Sequence, residues 1–285
     1  MADVERAGGA TAEIRGGARF AFGENWSRFL RLLDDERIHE AEDSLRRILG
    51  VRDLAGLRFL DIGCGSGLFS LAARRLGARV HSFDFDPRSV ACAQELRRRY
   101  VSDEAQWTIE QGSVLDPDYI GRLGRFDVVY SWGVLHHTGR MWPAVEQALR
   151  PVREEGGLLW IALYNTQPLW TPWWKLVKRG YLRMPELLKP VYVGPFFVHA
   201  ALVGLAADLA HGRNPRSRYR GRGRRGMSPW YDLVDWVGGW PFETATPDEV
   251  VAFARARGLE PVTVTTVGRR HGCNEFVFRR GAAPA

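Results

Sequence analysis

The sequence predicts an α/β fold in which a mainly parallel sheet carries helices on both faces. Two observations predict it: strand-like and helix-like apolar patterns alternate from residue 57 to residue 163, and a glycine-rich turn follows the first strand. Helices are expected at 67–76, 87–100, 117–122, 142–150 and 246–257, and strands at 57–61, 79–84, 106–111, 126–131, 157–163, 260–267 and 273–279. Ligands of such sheets bind outside the carboxyl ends of the strands.

The turn after the first strand, in the sequence LDIGCGSG, combines an acid with three alternate glycines. Gly63, Gly65 and Gly67 have no Cβ, so a ligand can approach the backbone closely. In a dinucleotide-binding fingerprint the third glycine would stand where this chain has Leu68. Asp61 would repel a pyrophosphate but suits the ammonium group of an amino acid. The turn therefore predicts a site for a nucleotide-like cofactor other than a dinucleotide.

Two further features lie at the ends of later strands. Asp84 ends the second strand, where an acid typically binds ribose hydroxyls. The fourth strand and its loop read FDVVYSWGVLHH at 126–137. With these features the chain resembles the class I S-adenosylmethionine-dependent methyltransferases, over residues 55–165 and again from 246. It is most similar to bacterial enzymes of ubiquinone and menaquinone biosynthesis and to methyltransferases of glycans and natural products.

The resemblance implies a Rossmann-like seven-stranded sheet, closed by an antiparallel strand, with S-adenosyl-L-methionine as cofactor. It implies O-methylation of a small-molecule, glycan or lipid-linked acceptor. Phe85 is expected against the adenine, and Trp132 near the methionine portion of the cofactor. Many relatives have an acid after the third strand, where this chain has Ser113. The adenine contact thus stays open between Ser113, the backbone of Val114, and Asp116.

Two adjacent histidines follow the fourth strand. Transfer of a methyl group to a hydroxyl requires alignment of donor and acceptor and removal of a proton, for which histidine is the commonest base. We expect His137 to be the base, because relatives often have a histidine there, with His136 as the alternative. Tyr164 and Asn165, at the end of the fifth strand, are candidates for contact with acceptor or cofactor.

The chain divides into four parts along its length. Residues 1–20 are expected to be a flexible tail, and residues 21–50 an N-terminal helical region. Residues 51–164 and 246–285 form the predicted cofactor-binding domain. Residues 165–245 are an insertion, expected to be an acceptor lid, which holds six of the eleven tryptophans. From 166 to 245 there are twelve Lys and Arg against five Asp and Glu, which accounts for the whole net charge of +7.

Two stretches of the insertion leave alternatives open. Residues 191–210 are nearly all apolar, but Pro195 and Asp208 argue against a membrane span, so a buried lid helix or an interfacial membrane helix is expected. Residues 213–225 carry seven arginines, which predict a solvated loop or a surface that captures an acidic substrate or an anionic membrane.

Composition excludes several classes of protein. Three scattered cysteines suggest neither a disulfide framework nor a metal site, and the charged N-terminal stretch is unlike a signal peptide, so a reducing cytoplasm is expected, with membrane association as an alternative. The loop SWGVLHH differs from the Asn/Asp-Pro-Pro-aromatic loop of amino-methylating DNA enzymes, which argues against nucleic acid. A nucleic-acid or protein methyltransferase and a non-catalytic cofactor-binding module are the alternative functions.

Overall fold

A computed structural model describes residues 12, 13, 16, 19–23, 26, 30, 33–212, 214, 229–268 and 270–281. The expected flexible tail and the run of arginines lie mostly outside these residues. The first complete helix, α1, spans Asp35–Leu49. It begins at the N-cap Asp34, whose side chain accepts a hydrogen bond from the Arg37 amide, and ends at Gly50 in the left-handed conformation. The predicted N-terminal helical region is thus observed in its second half.

The predicted α/β fold is confirmed. The sheet has seven strands, ordered β3-β2-β1-β4-β5-β7-β6. The first five are mutually parallel, and β7 is antiparallel to both β5 and β6. The strands are β1 Arg58–Ile62, β2 Arg79–Asp84, β3 Trp107–Gln111, β4 Val128–Trp132, β5 Leu158–Tyr164, β6 Leu259–Thr265 and β7 Cys273–Arg280.

Helices connect these strands and cover both faces of the sheet with apolar side chains. They are α2 Leu68–Arg75, α3 Pro87–Tyr100, α4 Pro117–Arg122, α5 Met141–Leu149 and, before β6, α9 Pro247–Arg255. Local caps determine several boundaries: Asp86 and Asp116 cap α3 and α4 ahead of a proline, and a capping box between Thr246 and Glu249 starts α9. The order β1–β4 places the carboxyl ends of the central strands beside one another, which is where the site lies.

The insertion between β5 and α9 is helical. It contains α6 Trp170–Arg183, α7 Lys189–Ala210 and α8 Pro229–Gly238, which meet in a small apolar cluster around Val177, Tyr181, Val193 and Val237. Helix α7 is not the buried lid helix that the sequence favoured, because its buried residues are only Val193, Gly204 and Asp208. The helical stretch from Glu186 to Ala210 is long and apolar enough to cross a membrane by length and composition.

Candidate functional site

A cavity of about 2080 Å³ runs along the carboxyl edge of the sheet. Its wall combines the glycine turn, the ends of β2 and β4, the loop after β4, and parts of the insertion and of the β6–β7 hairpin. Most of the predicted site residues meet there: Asp61, Gly63, Gly65, Asp84, Phe85, Ser113, Val114, Trp132 and His137. The cavity is large enough for two ligands side by side, since a single small-molecule site typically occupies about 300 to 1000 Å³.

The glycine turn has three residues in the left-handed region, with φ of 74° at Gly63, 54° at Gly65 and 81° at Gly67. Gly63 and Gly65 line the cavity, whereas Gly67 is not part of its wall. A Cβ on Gly67 would lie 2.9 Å from the Cβ of Ala93 in α3. Gly67 therefore allows α2 to pack closely on α3, and its predicted contact with cofactor is not supported by its position.

Asp61 is almost completely buried, at 2% exposure, yet it contributes to the cavity wall. The Ser70 hydroxyl lies 2.5 Å from its Oδ2 and donates to it. Burial raises the pKa of Asp61 to about 7, an effect that the Ser70 hydrogen bond reduces and that the neighbouring Asp84 carboxylate increases. A cation in the cavity would relieve this cost of burying a carboxylate, so the position suits an ammonium group.

The Asp84 side chain accepts a hydrogen bond from the glycine turn and also lines the cavity. Its Oδ2 accepts the Gly65 amide at 2.9 Å, and its Oδ1 accepts the Asp86 amide at 2.9 Å. Burial raises the pKa of Asp84 to about 6, and these two amides oppose the rise. Each carboxylate oxygen has two lone pairs, so both can still accept a hydrogen bond from a ligand hydroxyl. This is the geometry that a ribose requires.

We call the part of the cavity next to the glycine turn the cofactor half. The rest of its wall fits an aromatic base and a sulfonium. Phe85 and Val114 supply apolar surface next to Asp84, and the Ser113 hydroxyl, which accepts the Leu115 amide at 3.2 Å, is close by. Trp132 lies at the end of β4, and beyond it Gly133 has φ of 74° with open space where a Cβ would be. The donor set and the shape thus fit S-adenosylmethionine.

The two histidines occupy different environments. His136 is fully buried and outside the cavity wall, and its Nδ1 accepts the Tyr164 amide at 3.3 Å. His137 lines the cavity, and its Nδ1 lies 2.6 Å from the carbonyl oxygen of Pro241. Because a carbonyl only accepts, neutral His137 carries its proton on Nδ1, which makes Nε2 the basic nitrogen. Of the two, only His137 is placed to reach a ligand.

Aromatic rings form the cavity wall beyond His137. Tyr164 lies with its ring centroid 5.1 Å from that of Trp236 and 5.2 Å from that of Phe242. The fully buried Lys178 donates to the Trp236 carbonyl and has its Nζ 4.6 Å from the Phe242 ring centroid. Burial lowers the pKa of Lys178 to about 7. Asn165 instead faces the hairpin, where it donates to the Gly268 carbonyl at 2.7 Å.

Sequence reasoning missed two sets of residues at or beside the cavity. Arg19, Phe20, Phe22 and Trp26 lie in the cavity wall, although the first two fall within the expected flexible tail. The aromatic cluster in GGARFAFGENW could have indicated them. The Pro241 carbonyl, which orients His137, could not have been found, because a backbone acceptor has no residue signature.

Comparison with known proteins agrees with this geometry. A family profile described as a methyltransferase domain matches residues 60–159. The ubiquinone biosynthesis O-methyltransferase of Methylocella silvestris is 31% identical over 182 residues, which cover 58% of this chain and 69% of that protein. The enzyme of the same name from Cereibacter sphaeroides is 35% identical over 113 residues, which cover 40% of this chain and 43% of that protein.

Solved structures share the fold. A magnesium protoporphyrin IX methyltransferase from Synechocystis PCC 6803, solved with bound S-adenosylhomocysteine, superposes with a TM-score of 0.53 at 15% identity, covering 90% of this chain and 94% of that one. The protein PKMT2 from Rickettsia typhi superposes with a TM-score of 0.56 at 12% identity, covering 86% of this chain and 53% of that one. At these identities the likeness concerns the fold alone.

Proposed function

Since the chain belongs to the class I S-adenosylmethionine-dependent methyltransferases, we propose that it methylates an oxygen of a small-molecule acceptor, with His137 as general base. The observation that carries the proposal is the His137–Pro241 hydrogen bond, which leaves Nε2 as the basic nitrogen of a histidine that lines the cavity. Bound S-adenosylmethionine supplies an electrophilic methyl group on a sulfonium sulfur. As the new O–CH₃ bond forms and the S–CH₃ bond breaks, His137 Nε2 takes the hydroxyl proton.

The cofactor half of the cavity has a defined set of residues. Asp61 would pair with the ammonium group, and Asp84 with the ribose hydroxyls. Phe85 would lie against the adenine ring. Ser113, the Val114 backbone or Asp116 would contact the polar edge of the adenine. Trp132 would lie near the sulfonium, where an aromatic face is favourable. Gly63 and Gly65 would allow close approach of the backbone.

The acceptor half suits an apolar or aromatic molecule. The Tyr164 ring centroid lies 5.3 Å from that of His137, and Trp236 packs against Tyr164. Leu233 and Phe197 extend the apolar wall along the insertion. The first relative described above is named for ubiquinone biosynthesis, which agrees with an aromatic hydroxyl on an apolar molecule. We therefore place a lipid-linked phenolic acceptor ahead of a glycan, for which a wall richer in polar side chains is expected.

An assay of turnover tests this function. The purified chain is incubated with S-adenosylmethionine and a panel of phenols, catechols and prenylated quinols, and release of S-adenosylhomocysteine and the methylated product are both measured. We expect product with at least one phenolic acceptor. Binding of cofactor without product from any class of acceptor would favour the non-catalytic module. Methylation of nucleic acid or protein, with a steep decrease on adding salt for nucleic acid, would favour the macromolecular alternatives.

We also propose that the outer side of the insertion contacts an anionic membrane. Large apolar side chains of the insertion are exposed in and around α6 and α7, and we call this set the apolar face; it comprises Leu169, Trp170, Trp173, Leu176, Leu187, Leu188, Val191, Val198, Leu202, Val203, Leu205 and Leu209. The acidic side chain within α7, Asp208, is only 5% exposed. Basic residues are interspersed at Lys175, Arg179, Arg183 and Lys189, and the seven-arginine run follows α7 in the sequence. Apolar side chains beside excess positive charge fit an interfacial helix on anionic lipid.

The same helix connects this surface with the cavity. Phe197, Ala200 and Ala201 of α7 line the cavity, while Val198 and Leu202 are 56% and 60% exposed. One helix thus separates the expected position of the bilayer from the acceptor half of the site. An acceptor dissolved in lipid would enter along this helix without crossing water, which supports a lipid-linked substrate.

Vesicle sedimentation tests the membrane contact. We expect the chain to sediment with vesicles of phosphatidylcholine and phosphatidylglycerol more than with phosphatidylcholine alone. The double substitution Leu202→Gln and Leu209→Gln should reduce sedimentation, whereas Val262→Gln, at a 51% exposed position of β6, should not. Equal sedimentation of all three proteins, or a stable dimer in solution that covers the apolar face, would contradict this part of the proposal.

A further inference from the structure

A short segment before α1 crosses the cavity and touches three of its walls. We call it the strap and define it as residues 19–23 and 26. The Phe20 amide donates to the Trp240 carbonyl of the insertion at 3.0 Å. The Gly23 amide donates to Asp86 Oδ2, just after β2, at 3.0 Å. At the glycine turn, a Cβ on Gly65 would lie 2.8 Å from the Trp26 indole, so the two are in close contact.

The strap also holds the loop that carries the base. Arg19 donates from Nη1 to the His137 carbonyl at 2.9 Å and from Nη2 to the Thr138 carbonyl at 3.0 Å. Both carbonyls lie at the end of the 3₁₀ turn Leu135–His137. The planar guanidinium matches two adjacent acceptors, which an ammonium group cannot do with the same geometry.

The same guanidinium reaches the cofactor side. Its Cζ lies 4.9 Å from the centroid of the Phe85 ring, the residue that follows Asp84. On the other side of the strap, the Phe22 ring centroid lies 4.9 Å from that of the His137 imidazole. One arginine and its neighbours therefore touch both the expected adenine wall and the expected base.

We propose that Arg19 is a positioning residue that couples cofactor binding to the placement of His137. A ligand that packs against Phe85 and beside Trp26 in the cavity stabilises the strap where the structure places it. In that position the Arg19 guanidinium donates to the two loop carbonyls, and this fixes the orientation of the imidazole toward the acceptor. Coupling of this kind is reciprocal, so an ordered base loop also favours cofactor binding. The inference rests on the proposed function and adds a residue that links the cofactor half of the site to the proposed base.

Hydrogen exchange on the full chain tests the coupling, with S-adenosylhomocysteine as the probe. In the wild type we expect the ligand to slow exchange together in residues 19–26, 63–67 and 134–139. In Arg19→Met it should still slow exchange at 63–67 but protect 134–139 much less. Arg140→Met is the matched control, because it removes an exposed arginine from the same loop and should behave like the wild type.

Kinetics distinguishes positioning from general loss of structure. With a competent acceptor, Arg19→Met should lower kcat by between about tenfold and a hundredfold, as expected when a base is misplaced, and change the KM for acceptor little. Arg19→Lys should not restore kcat, since a lysine cannot make the paired contact. Equal protection of 134–139 in Arg19→Met and the wild type would overturn the inference alone. Failure of the ligand to slow exchange anywhere in the wild type would overturn the proposed function as well.

Discussion

The Nδ1 atom of His137 lies 2.6 Å from the carbonyl oxygen of Pro241, although 104 positions separate these residues in the chain. The contact joins the loop after β4 to the end of the insertion, so the insertion contributes to the geometry of the proposed base. Glu243 strengthens this connection, because its amide donates to the His136 carbonyl at 3.0 Å and its side chain accepts the Met141 amide at 2.9 Å.

Substitution of the two histidines should have different consequences. His137→Ala should lower the rate by about a hundredfold to ten-thousandfold, the usual contribution of a general base, with little change in cofactor affinity. The loss should be smaller for acceptors whose hydroxyl is already acidic. Single-turnover rates and calorimetry with S-adenosylhomocysteine measure the two effects. Full activity of His137→Ala on an acceptor of high pKa would contradict the role of His137 as base. Catalysis would then rest on positioning of the acceptor alone.

His136→Ala should mainly affect stability. It leaves a void in the core and removes the acceptor of the Tyr164 amide, a kind of loss that costs about 1 to 3 kcal/mol. We expect a lower midpoint of chemical denaturation and, at temperatures where the variant is folded, a milder loss of rate than in His137→Ala. A fully stable His136→Ala with abolished turnover would reverse the roles assigned to the two histidines.

Asp61 should make cofactor binding depend on pH. Because burial raises its pKa to about 7, the carboxyl of the ligand-free protein is mostly protonated at pH 6 and must ionise to pair with an ammonium group. We expect the affinity for S-adenosylhomocysteine to rise about tenfold from pH 6 to pH 8, where the carboxyl is ionised before binding. Asp61→Asn should bind more weakly at pH 8 and show little of this dependence, as calorimetry at both pH values would measure.

The same shift predicts the direction of a stability change. The folded state holds the Asp61 proton more tightly than the unfolded chain, so the free energy of unfolding should fall as pH rises from about 4 to about 7. Asp61→Asn cannot ionise and should make this decrease smaller, leaving the part due to Asp84, whose pKa of about 6 acts in the same direction. Denaturant titrations of the ligand-free proteins across this range check the sign. A parallel decrease in both proteins would assign the effect to another group.

Asp84 should matter for affinity at every pH where it is ionised. Asp84→Ala removes the acceptor for ribose hydroxyls and also frees the Gly65 and Asp86 amides, so binding should weaken by about 1 to 3 kcal/mol. Asp118→Ala, at an exposed acid in the first turn of α4, is a suitable control. Wild type should not bind NAD. Calorimetry that shows NAD binding and no response to S-adenosylhomocysteine would contradict the assigned cofactor.

Local signals made the sheet and its helices predictable. Helix α3 begins at Pro87 as expected, because the Asp86 side chain caps it by accepting the Arg88 amide. The strands lie within about two residues of their predicted bounds, since buried parallel strands give continuous apolar runs. The positions of Asp61 and Asp84 in the cavity wall were also predictable, because these residues follow strand and turn patterns that are local in sequence.

The remaining features depend on long-range packing. The apolar composition of α7 predicted a helix, but whether it is buried depends on what packs against it, and only Val193, Gly204 and Asp208 are covered. All three glycines of the turn pack against side chains from elsewhere in the chain, but Gly67, against Ala93, lies outside the cavity wall, which its place in the motif did not indicate. Besides Glu13, Arg19 contacts two backbone carbonyls more than a hundred residues away, which no pattern in the sequence marks.

Removal of α7 should separate acceptor selection from cofactor binding. Replacing residues 186–228 with a Gly–Ser linker removes the apolar face of α7 and the cavity residues Phe197, Ala200 and Ala201, but it retains Trp236, Pro241 and Glu243. We expect the affinity for S-adenosylhomocysteine to stay within about twofold of the wild type, while turnover of an apolar acceptor falls at least tenfold, a difference of about 1.4 kcal/mol or more.

Replacing the whole of 165–245 should also lower turnover of small water-soluble phenols, because it deletes the Pro241 carbonyl that orients His137. Circular dichroism establishes that the sheet is folded in both proteins. Loss of cofactor affinity in the 186–228 variant with an intact sheet would show that α7 belongs to the cofactor site and would contradict this division of roles.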